Sequence, residues 1–200
     1  MRLILVSLVI LIFYSCSSNN NVDFELYENI YENNKLQDFE IFERANSLID
    51  NNNLDLALTE LDKLEIIYPN SIYTRKAILL TAYIYFLKKE YEKTRAICET
   101  FKNYYPGSKD IIYANYLETM TYYILTKKSD YSQIESKIAL DKLNFILNAY
   151  PNSKYEIDVI TKINVIKNNQ ASQKISIAKF YLERNNVNGS LIYLKDIFEN

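Results

Sequence analysis

Apolar side chains recur along most of this chain with the three- and four-residue spacing of amphipathic helices, as at Ala57, Leu61 and Leu64. Short polar segments separate the apolar stretches, and the whole sequence contains only 2 glycines and 3 prolines. A β-sandwich or a doubly wound α/β fold needs glycine at many of its turns. The pattern therefore predicts an all-α fold of long helices joined by short connections.

One short motif occurs three times between the predicted helices. It begins at Tyr68, Tyr105 and Tyr150 and reads Tyr-Pro-Asn-Ser, or Tyr-Pro-Gly-Ser in the second copy. The first two copies lie 37 residues apart and the next two 45 apart, and we assign the excess to a loop insertion at 127–134. Periods of this length are typical of stacked helical hairpins, with the tetratricopeptide repeat as the closest match. The sequence thus predicts a tetratricopeptide-like solenoid of about four repeats over residues 38–200.

Small residues set the register of these repeats, because they let the two helices of a hairpin approach closely. The residues at this position are Ala45, Ala82, Thr119 and Ala178. Residues 156–168 are predicted as a separate helix ahead of a fourth hairpin that starts near Ala171. The stripe expected to be buried on this helix consists of Ile157, Ile160, Ile163 and Ile166. The capping boxes predicted to open two of the helices are Ser132 with Glu135 and Ser153 with Glu156.

The first helix of each repeat is expected to line a concave surface of the kind on which such arrays bind extended peptides. The residues that this register places in the groove are Phe42, Leu79, Tyr83, Phe86, Tyr116, Met120 and Tyr123. The alternative for each ring is packing between helices, which we expect for most of the 19 tyrosines and 9 phenylalanines.

The N-terminus has the pattern of an export signal. Arg2 precedes an uncharged run that ends at Phe13, which suits a signal peptide and is too short to span a bilayer. The sequence Phe-Tyr-Ser-Cys, ending at Cys16, resembles a lipobox, with Phe13 in place of the usual leucine. We expect a lipoprotein signal peptide at 1–15, acylation with palmitate at Cys16, and a lipidated tether over 16–37. The alternative is an ordinary secretory signal with an incidental cysteine.

The composition bears on the class of function. The sequence has no histidine and therefore no Ser-His-Asp triad or usual zinc site, and 2 glycines cannot form a phosphate-binding loop. We therefore expect no catalytic residues, metal or cofactor. The net charge of −2 also predicts no nucleic-acid partner. The second cysteine, Cys98, is interpreted as a small apolar core residue.

Five segments resemble the BamD family of outer-membrane protein assembly lipoproteins. They are Tyr68-Pro-Asn-Ser-Ile-Tyr73, Ala82-Tyr-Ile-Tyr-Phe86, Ile112-Tyr-Ala-Asn-Tyr-Leu117, Tyr150-Pro-Asn-Ser-Lys-Tyr155 and Ile177-Ala-Lys-Phe-Tyr-Leu-Glu-Arg184. The similarity in order and spacing runs from about residue 38 to the end and includes the insertion in the third repeat. The family has five repeats, of which this sequence shows four.

This resemblance implies a non-enzymatic scaffold subunit, lipid-anchored at the periplasmic face of the outer membrane. Its C-terminal half would bind the barrel subunit BamA, and its N-terminal repeats would receive unfolded outer-membrane proteins. The alternative is a different envelope tetratricopeptide lipoprotein, an adaptor in cell-wall or division complexes.

The last hairpin is the expected docking surface for the barrel subunit, because its second helix is more apolar than a capping helix should be. The residues expected to bind this partner are Tyr181, Arg184, Tyr193, Ile197 and Phe198. Tyrosine and arginine are common at interface hot spots. The alternative for Arg184 is a surface ion pair with Glu183 or Asp196, which would contribute under about 1 kcal/mol.

Overall fold

The fold is given by a computed structural model, which describes residues 36–126 and 133–199. These residues form eight α-helices and no strands, which confirms the predicted all-α class. The helices are α1 (Asp38–Asp50), α2 (Leu54–Ile67), α3 (Ile72–Leu87), α4 (Tyr91–Tyr104), α5 (Ile111–Leu125), α6 (Gln133–Ala149), α7 (Glu156–Glu183) and α8 (Val187–Glu199). The predicted signal peptide, Cys16 and most of the tether and loop insertion lie outside the described residues.

The chain divides into two compact units, the first ending at Thr74 and the second beginning at Arg75. In the first unit α1 packs against α2. The apolar residues that face each other across this contact are buried, as their spacing predicts. The buried apolar residues of this hairpin are Ile41, Ala45, Ala57, Leu61 and Leu64. The first Tyr-Pro-Asn-Ser motif lies at the end of α2 and ties it to the start of the unit. The Tyr68 hydroxyl donates a hydrogen bond of 2.9 Å to the Leu36 carbonyl, just before α1.

In the second unit α3 packs on α4, and every later helix packs on the one before it. One core cluster joins α3, α4 and α5 through Leu79, Ala82, Cys98, Phe101, Ala114 and Leu117. A second joins α5, α6 and α7 through Met120, Tyr123, Ala139, Leu143, Ile146, Val159, Ile163 and Ile166. The small residues of the repeat register are all buried. Successive hairpins therefore share their cores, as in a tetratricopeptide-like array.

Three hairpin turns have the same backbone conformation. Asn52, Lys89 and Asn185 have φ values of 59°, 64° and 57°. In each turn the next residue donates its N–H to a carbonyl five positions earlier, as Glu90 does to Tyr85 at 2.9 Å. This is the Schellman arrangement, in which a left-handed residue ends the helix. Asparagine tolerates that conformation better than lysine, because its short polar side chain bonds locally.

Lys89→Asn is therefore expected to raise the free energy of unfolding by about 1 kcal/mol, because it relieves a left-handed lysine. Urea unfolding followed by circular dichroism measures this change. The matched reverse substitution, Asn52→Lys, places lysine in the equivalent turn and should lower stability by a similar amount. If neither substitution changes stability in its stated direction, the identity of the left-handed residue does not affect the stability of these turns.

The separate helix predicted at 156–168 is wrong, because α7 continues without interruption from Glu156 to Glu183. This helix has 28 residues and is about 42 Å long. The sequence between its two apolar halves is polar but contains no glycine or proline. Polarity alone does not end a helix, whereas glycine and proline do. No helix in the described ranges, α7 included, is long and apolar enough to cross a membrane.

The isoleucine stripe predicted on this helix is only half correct. Ile163 and Ile166 are buried, but Ile157 is 83% exposed and Ile160 is 42% exposed. Val159 takes the buried position instead. A residue on a helix is rotated by about 100° from the one before it, so nine residues place Ile157 on the side opposite Ile166. Repeated steps of three residues therefore leave the buried face, whereas alternating steps of three and four stay on it.

The capping box predicted for Ser153 and Glu156 is also wrong. Glu156 is itself the first residue of α7, and its N–H bonds to the Ser153 carbonyl at 3.0 Å. Ser153 therefore lies in a turn before the helix, not at its N-cap. The Ser132 box falls outside the described residues. At α1, Glu40 accepts a hydrogen bond of 2.7 Å from the Gln37 N–H, which is the reciprocal contact of a capping box.

Candidate functional site

A cluster of stacked tyrosines lies where α5 meets the start of α7. The Tyr116 and Tyr155 ring centroids are 4.3 Å apart with 17° between the ring planes. Tyr113 lies on the other side, 6.4 Å from Tyr155 and at 25° to it. All three rings are half-buried, so each keeps part of its surface open to solvent.

A related aromatic contact, tilted rather than stacked, occurs within the first unit, and the sequence motif explains why. Tyr155 is the last residue of Tyr-Pro-Asn-Ser-Lys-Tyr, and Tyr73 ends the first copy of that motif. Tyr73 contacts Phe42 with 5.5 Å between centroids. Phe42 and Tyr116 both stand three residues before the small residue of their repeats. The motif therefore places its last tyrosine against an aromatic ring of the preceding first helix.

Charge fixes the position of the Tyr116 hydroxyl. It donates a hydrogen bond of 2.6 Å to Asp158, whose other oxygen accepts a bond from Lys162. Burial alone would raise the pKa of Asp158, but the bonds from Lys162 and Tyr116 hold it below its ordinary value. The pKa of Tyr116 is raised, first by burial and then by its bond to Asp158. The pair is therefore a neutral phenol held by a carboxylate.

The predicted groove residues divide into two groups. Leu79, Met120 and Tyr123 are buried in the hydrophobic core, and little of their surface can meet a ligand. The half-buried residues are Phe42, Tyr83, Phe86 and Tyr116. The structure brings Tyr113, Tyr155 and Asp158 to Tyr116, and the sequence reasoning had missed these three. The repeated final tyrosine of the motif was the signal that could have found Tyr155.

The predicted partner-binding residues lie on the hairpin of α7 and α8. Tyr181 and Tyr193 stack with 5.7 Å between centroids, and the Arg184 guanidinium lies 3.6 Å from the centroid of the Phe180 ring. Phe198 is 89% exposed, and Ile197 is partly buried. These contacts hold two tyrosines and an arginine at the surface of one hairpin.

One alternative for Arg184 is a surface ion pair with Asp196. In the structure the Asp196 carboxylate forms an ion pair with Lys174, 2.7 Å away, that joins α7 to α8. The described contact of Arg184 is the one with the Phe180 ring, which leaves its guanidinium at an exposed surface. Cationic contacts of this kind at exposed sites are worth about 0.5–1 kcal/mol.

Two kinds of reactive group are relevant to the described residues, a metal site and an activated thiol. No group of three or more metal-ligating side chains occurs in 36–126 or 133–199. Cys98 is buried, and burial raises the pKa of its thiol to about 12. Because the thiolate is the reactive form of cysteine, this residue is inert at neutral pH, as the sequence predicted for a core position.

Comparison with known proteins gives the family. The profile of the YfiO family, described as an outer membrane lipoprotein, matches residues 34–199. The chain belongs to the YfiO family. The match begins before α1 and includes the cluster of Tyr113, Tyr116 and Tyr155 as well as the hairpin of α7 and α8. Membership confirms the resemblance drawn from the Tyr-Pro-Asn-Ser segments and the all-α repeat fold.

Individual relatives are outer membrane protein assembly factors named BamD. The protein of Rickettsia prowazekii is 29% identical over 153 residues, which are 76% of this chain and 61% of that protein. The protein of Caulobacter vibrioides is 25% identical over 151 residues, 76% of this chain and 50% of that protein. A third, from Buchnera aphidicola, is 23% identical over 86% of this chain and 74% of its own length. The chain thus spans about half to three fifths of the first two relatives.

Proposed function

We propose that this protein is a non-enzymatic scaffold subunit of the complex that assembles β-barrel proteins in the outer membrane. The observation that carries the proposal is the family match over residues 34–199, together with relatives named outer membrane protein assembly factor BamD. The fold supports it, because stacked helical hairpins offer extended surfaces for other polypeptides. The candidate site adds aromatic surface, and the C-terminal hairpin adds the cation Arg184, which suits binding.

The half-buried aromatic rings of the predicted groove are the proposed contact for unfolded outer-membrane proteins. Such proteins alternate apolar and polar residues and carry girdles of aromatic side chains. Tyr83, Phe86 and Tyr116 supply half-buried rings in the second unit, and Phe42 supplies one in the first. Half-buried rings are already ordered by the core, so binding to them costs little side-chain entropy.

The C-terminal hairpin is the proposed docking surface for a BamA-like barrel subunit. The residues proposed to make that contact are Tyr181, Arg184, Tyr193, Ile197 and Phe198. Exposed apolar surface such as that of Phe198 favours a partner, because such surface is costly to leave in water. We also propose that Cys16 carries the lipid anchor and places the protein on the periplasmic face of the outer membrane.

Affinity purification of the tagged full-length protein from detergent-solubilised membranes tests the assignment. We expect a large β-barrel subunit to co-purify, and we expect Arg184→Ala or deletion of residues 187–200 to reduce its recovery several-fold. Truncation of an interface hot spot costs about 2 kcal/mol or more, which is roughly thirtyfold in affinity. Mass spectrometry of the eluate measures the recovery.

Lys179→Ala is the matched control, since it removes an exposed cation from the last turns of α7, close to Arg184, without removing either partner of the Phe180–Arg184 contact. It should leave recovery unchanged. Circular dichroism should show that α1 to α6 remain folded in every variant. Undiminished recovery with both test variants would place docking elsewhere. Wild-type protein that recovers cell-wall or division proteins and no barrel subunit would favour the adaptor alternative.

A further inference from the structure

The first turn of α8 contains the only Asn-Gly pair of this sequence, at Asn188 and Gly189. Asparagine followed by glycine is prone to deamidation, because glycine has no side chain to hinder attack by its own backbone nitrogen. Asn188 is exposed, and within the described residues its side-chain amide has no hydrogen-bond partner. A labile amide therefore lies at the surface of the last hairpin, in contact with water.

Packing requires the glycine of this pair. A Cβ at residue 189 would stand 2.7 Å from Cδ1 of Tyr181, a distance that real Cβ atoms essentially never show. The Tyr181 ring is stacked on Tyr193, so it cannot move aside without losing that contact. The hairpin therefore keeps the residue that makes Asn188 labile, and protection of Asn188 has to come from the fold.

The N-cap of α8 holds the backbone nitrogen that would attack. The Gly189 N–H donates a hydrogen bond of 2.9 Å to the side-chain oxygen of Asn186, the residue just before the helix. An N-cap asparagine commonly accepts such a bond from the third helical residue, which Gly189 is. The Ser190 N–H also donates to the Asn186 carbonyl, at 3.2 Å, and closes the first turn. While this turn is folded, the proton that Gly189 must lose is held by Asn186.

Deamidation begins when the backbone nitrogen of Gly189 attacks the side-chain carbonyl carbon of Asn188. The new bond closes a five-membered succinimide ring. The bond from that carbon to the side-chain nitrogen breaks, and this nitrogen leaves as ammonia with the proton from Gly189. Water then opens the ring at one of its two carbonyls and gives aspartate or isoaspartate. The ring fixes ψ of Asn188 away from the helical value, so the reaction requires the first turn of α8 to open.

We propose that Asn188 is a deamidation site whose rate is set by the Asn186 cap, through the opening of the first turn of α8. The aspartate product adds a negative charge to this turn, where the helix dipole favours it. The isoaspartate product lengthens the backbone by one carbon and cannot continue the same helical turn. The amount of modified Asn188 therefore increases with the time for which the turn is open, whether or not a barrel subunit docks on this hairpin.

Incubation of the folded full-length protein at mildly alkaline pH, followed by proteolysis and mass spectrometry of the peptide that contains Asn188, tests the proposal. We expect Asn188 to be modified about fivefold faster in Asn186→Ala, because loss of one N-cap favours the open turn by about that factor. Asn186→Asp is the matched control, since it keeps the accepting oxygen, and it should react at the wild-type rate. No acceleration in Asn186→Ala, or equal acceleration in Asn186→Asp, overturns the proposal.

The same measurement in concentrated urea separates the cap from the local sequence. The unfolded chain has no cap, so Asn188 should react at one rate in all three proteins, and faster than in the folded wild type. A difference that persists in urea would assign the effect to the residue at position 186 itself and overturn the proposal. Asn70, exposed in a turn of the first unit, is the internal control. A parallel rise at Asn70 in folded Asn186→Ala would trace the acceleration to global unfolding and likewise overturn it.

Discussion

Glu118→Gln is expected to lower the free energy of unfolding by about 3 kcal/mol. Glu118 is buried on α5, and its two oxygens bind Lys102 of α4 at 2.5 Å and Lys142 of α6 at 2.7 Å. This one carboxylate therefore joins three successive helices. Glutamine is neutral, and its amide N–H group would face a lysine donor. The substitution leaves two partly buried ammonium groups without their counter-charge, which is the costly way to break such a pair.

Glu92→Gln is the matched control for this prediction. Glu92 also pairs with a cation, Arg95, but its side chain is 90% exposed. Exposed ion pairs contribute about 0–1 kcal/mol, so this variant should unfold almost as wild type does. Urea unfolding of the three proteins, monitored by circular dichroism at neutral pH, gives the comparison. Equal stabilities for Glu118→Gln and wild type would show that the lysines find other partners at no cost.

The contribution of Glu118 should also depend on pH. Burial alone would raise the pKa of Glu118. The hydrogen bonds and charges of Lys102 and Lys142 outweigh burial and hold the pKa of this carboxyl in the folded state below the ordinary 4.5. A group with a lowered pKa in the folded state stabilises the protein above its unfolded pKa, and this stabilisation is lost as the pH falls through the folded value. The difference between wild type and Glu118→Gln should therefore be constant near pH 7 and shrink below about pH 4.5. A difference that grows on acidification would contradict this assignment.

Gly189→Ala should lower stability by about 1–2 kcal/mol, although alanine is the better helix former by about 1 kcal/mol. A Cβ at residue 189 would stand 2.7 Å from Cδ1 of Tyr181 and 3.0 Å from its Cγ. These atoms are at the base of the ring, which is stacked on Tyr193 and cannot move without breaking that contact. The added methyl group therefore disturbs the α7–α8 hairpin itself.

Gly107→Ala is the control, because a Cβ there meets nothing within 4 Å and the residue does not have a positive φ. Alanine should be neutral at this position or stabilise the protein by about 0.5 kcal/mol, since it restricts the unfolded chain. Thermal unfolding should thus rank the variants with Gly107→Ala at or above wild type and Gly189→Ala below it. The same rank for both would show that propensity outweighs the contact with Tyr181. If the hairpin is the docking surface, Gly189→Ala should also reduce recovery of the barrel subunit.

Several features could be predicted from the sequence because they depend on neighbours close along the chain. The three- and four-residue spacing identified the buried residues Ala57, Leu61 and Leu64 of α2, and the small residues Ala45, Ala82 and Ala178 are buried where the register placed them. The Tyr-Pro-Asn-Ser motif marked the ends of the second helices. The same segments carried the family resemblance that the profile match confirmed.

The sequence of α7 contains no glycine or proline that would interrupt a helix, but only the structure showed that the helix is continuous. The prediction placed a break between residue 168 and Ala171, and the structure has one continuous helix there. The prediction of the buried face of α7 was also wrong at Ile157, which is exposed. Isoleucines spaced by three residues shift progressively around the helix and leave its buried face. Hydrophobicity identifies a candidate for burial, and the position of α6 selects which candidates are covered.

Only the tertiary structure decided which distant side chains meet. The stack of Tyr155 on Tyr116, the bond from Tyr116 to Asp158 and the double contact of Glu118 join residues 16 to 42 positions apart. Local spacing carries no information about such pairs, because it fixes a side chain's face on its own helix and not the neighbour across it. The sequence by itself thus determined the all-α class, the repeat of the hairpins and the family. The packing of helix on helix determined which tyrosines remain core, which keep a surface for binding, and where a buried charge finds its partners.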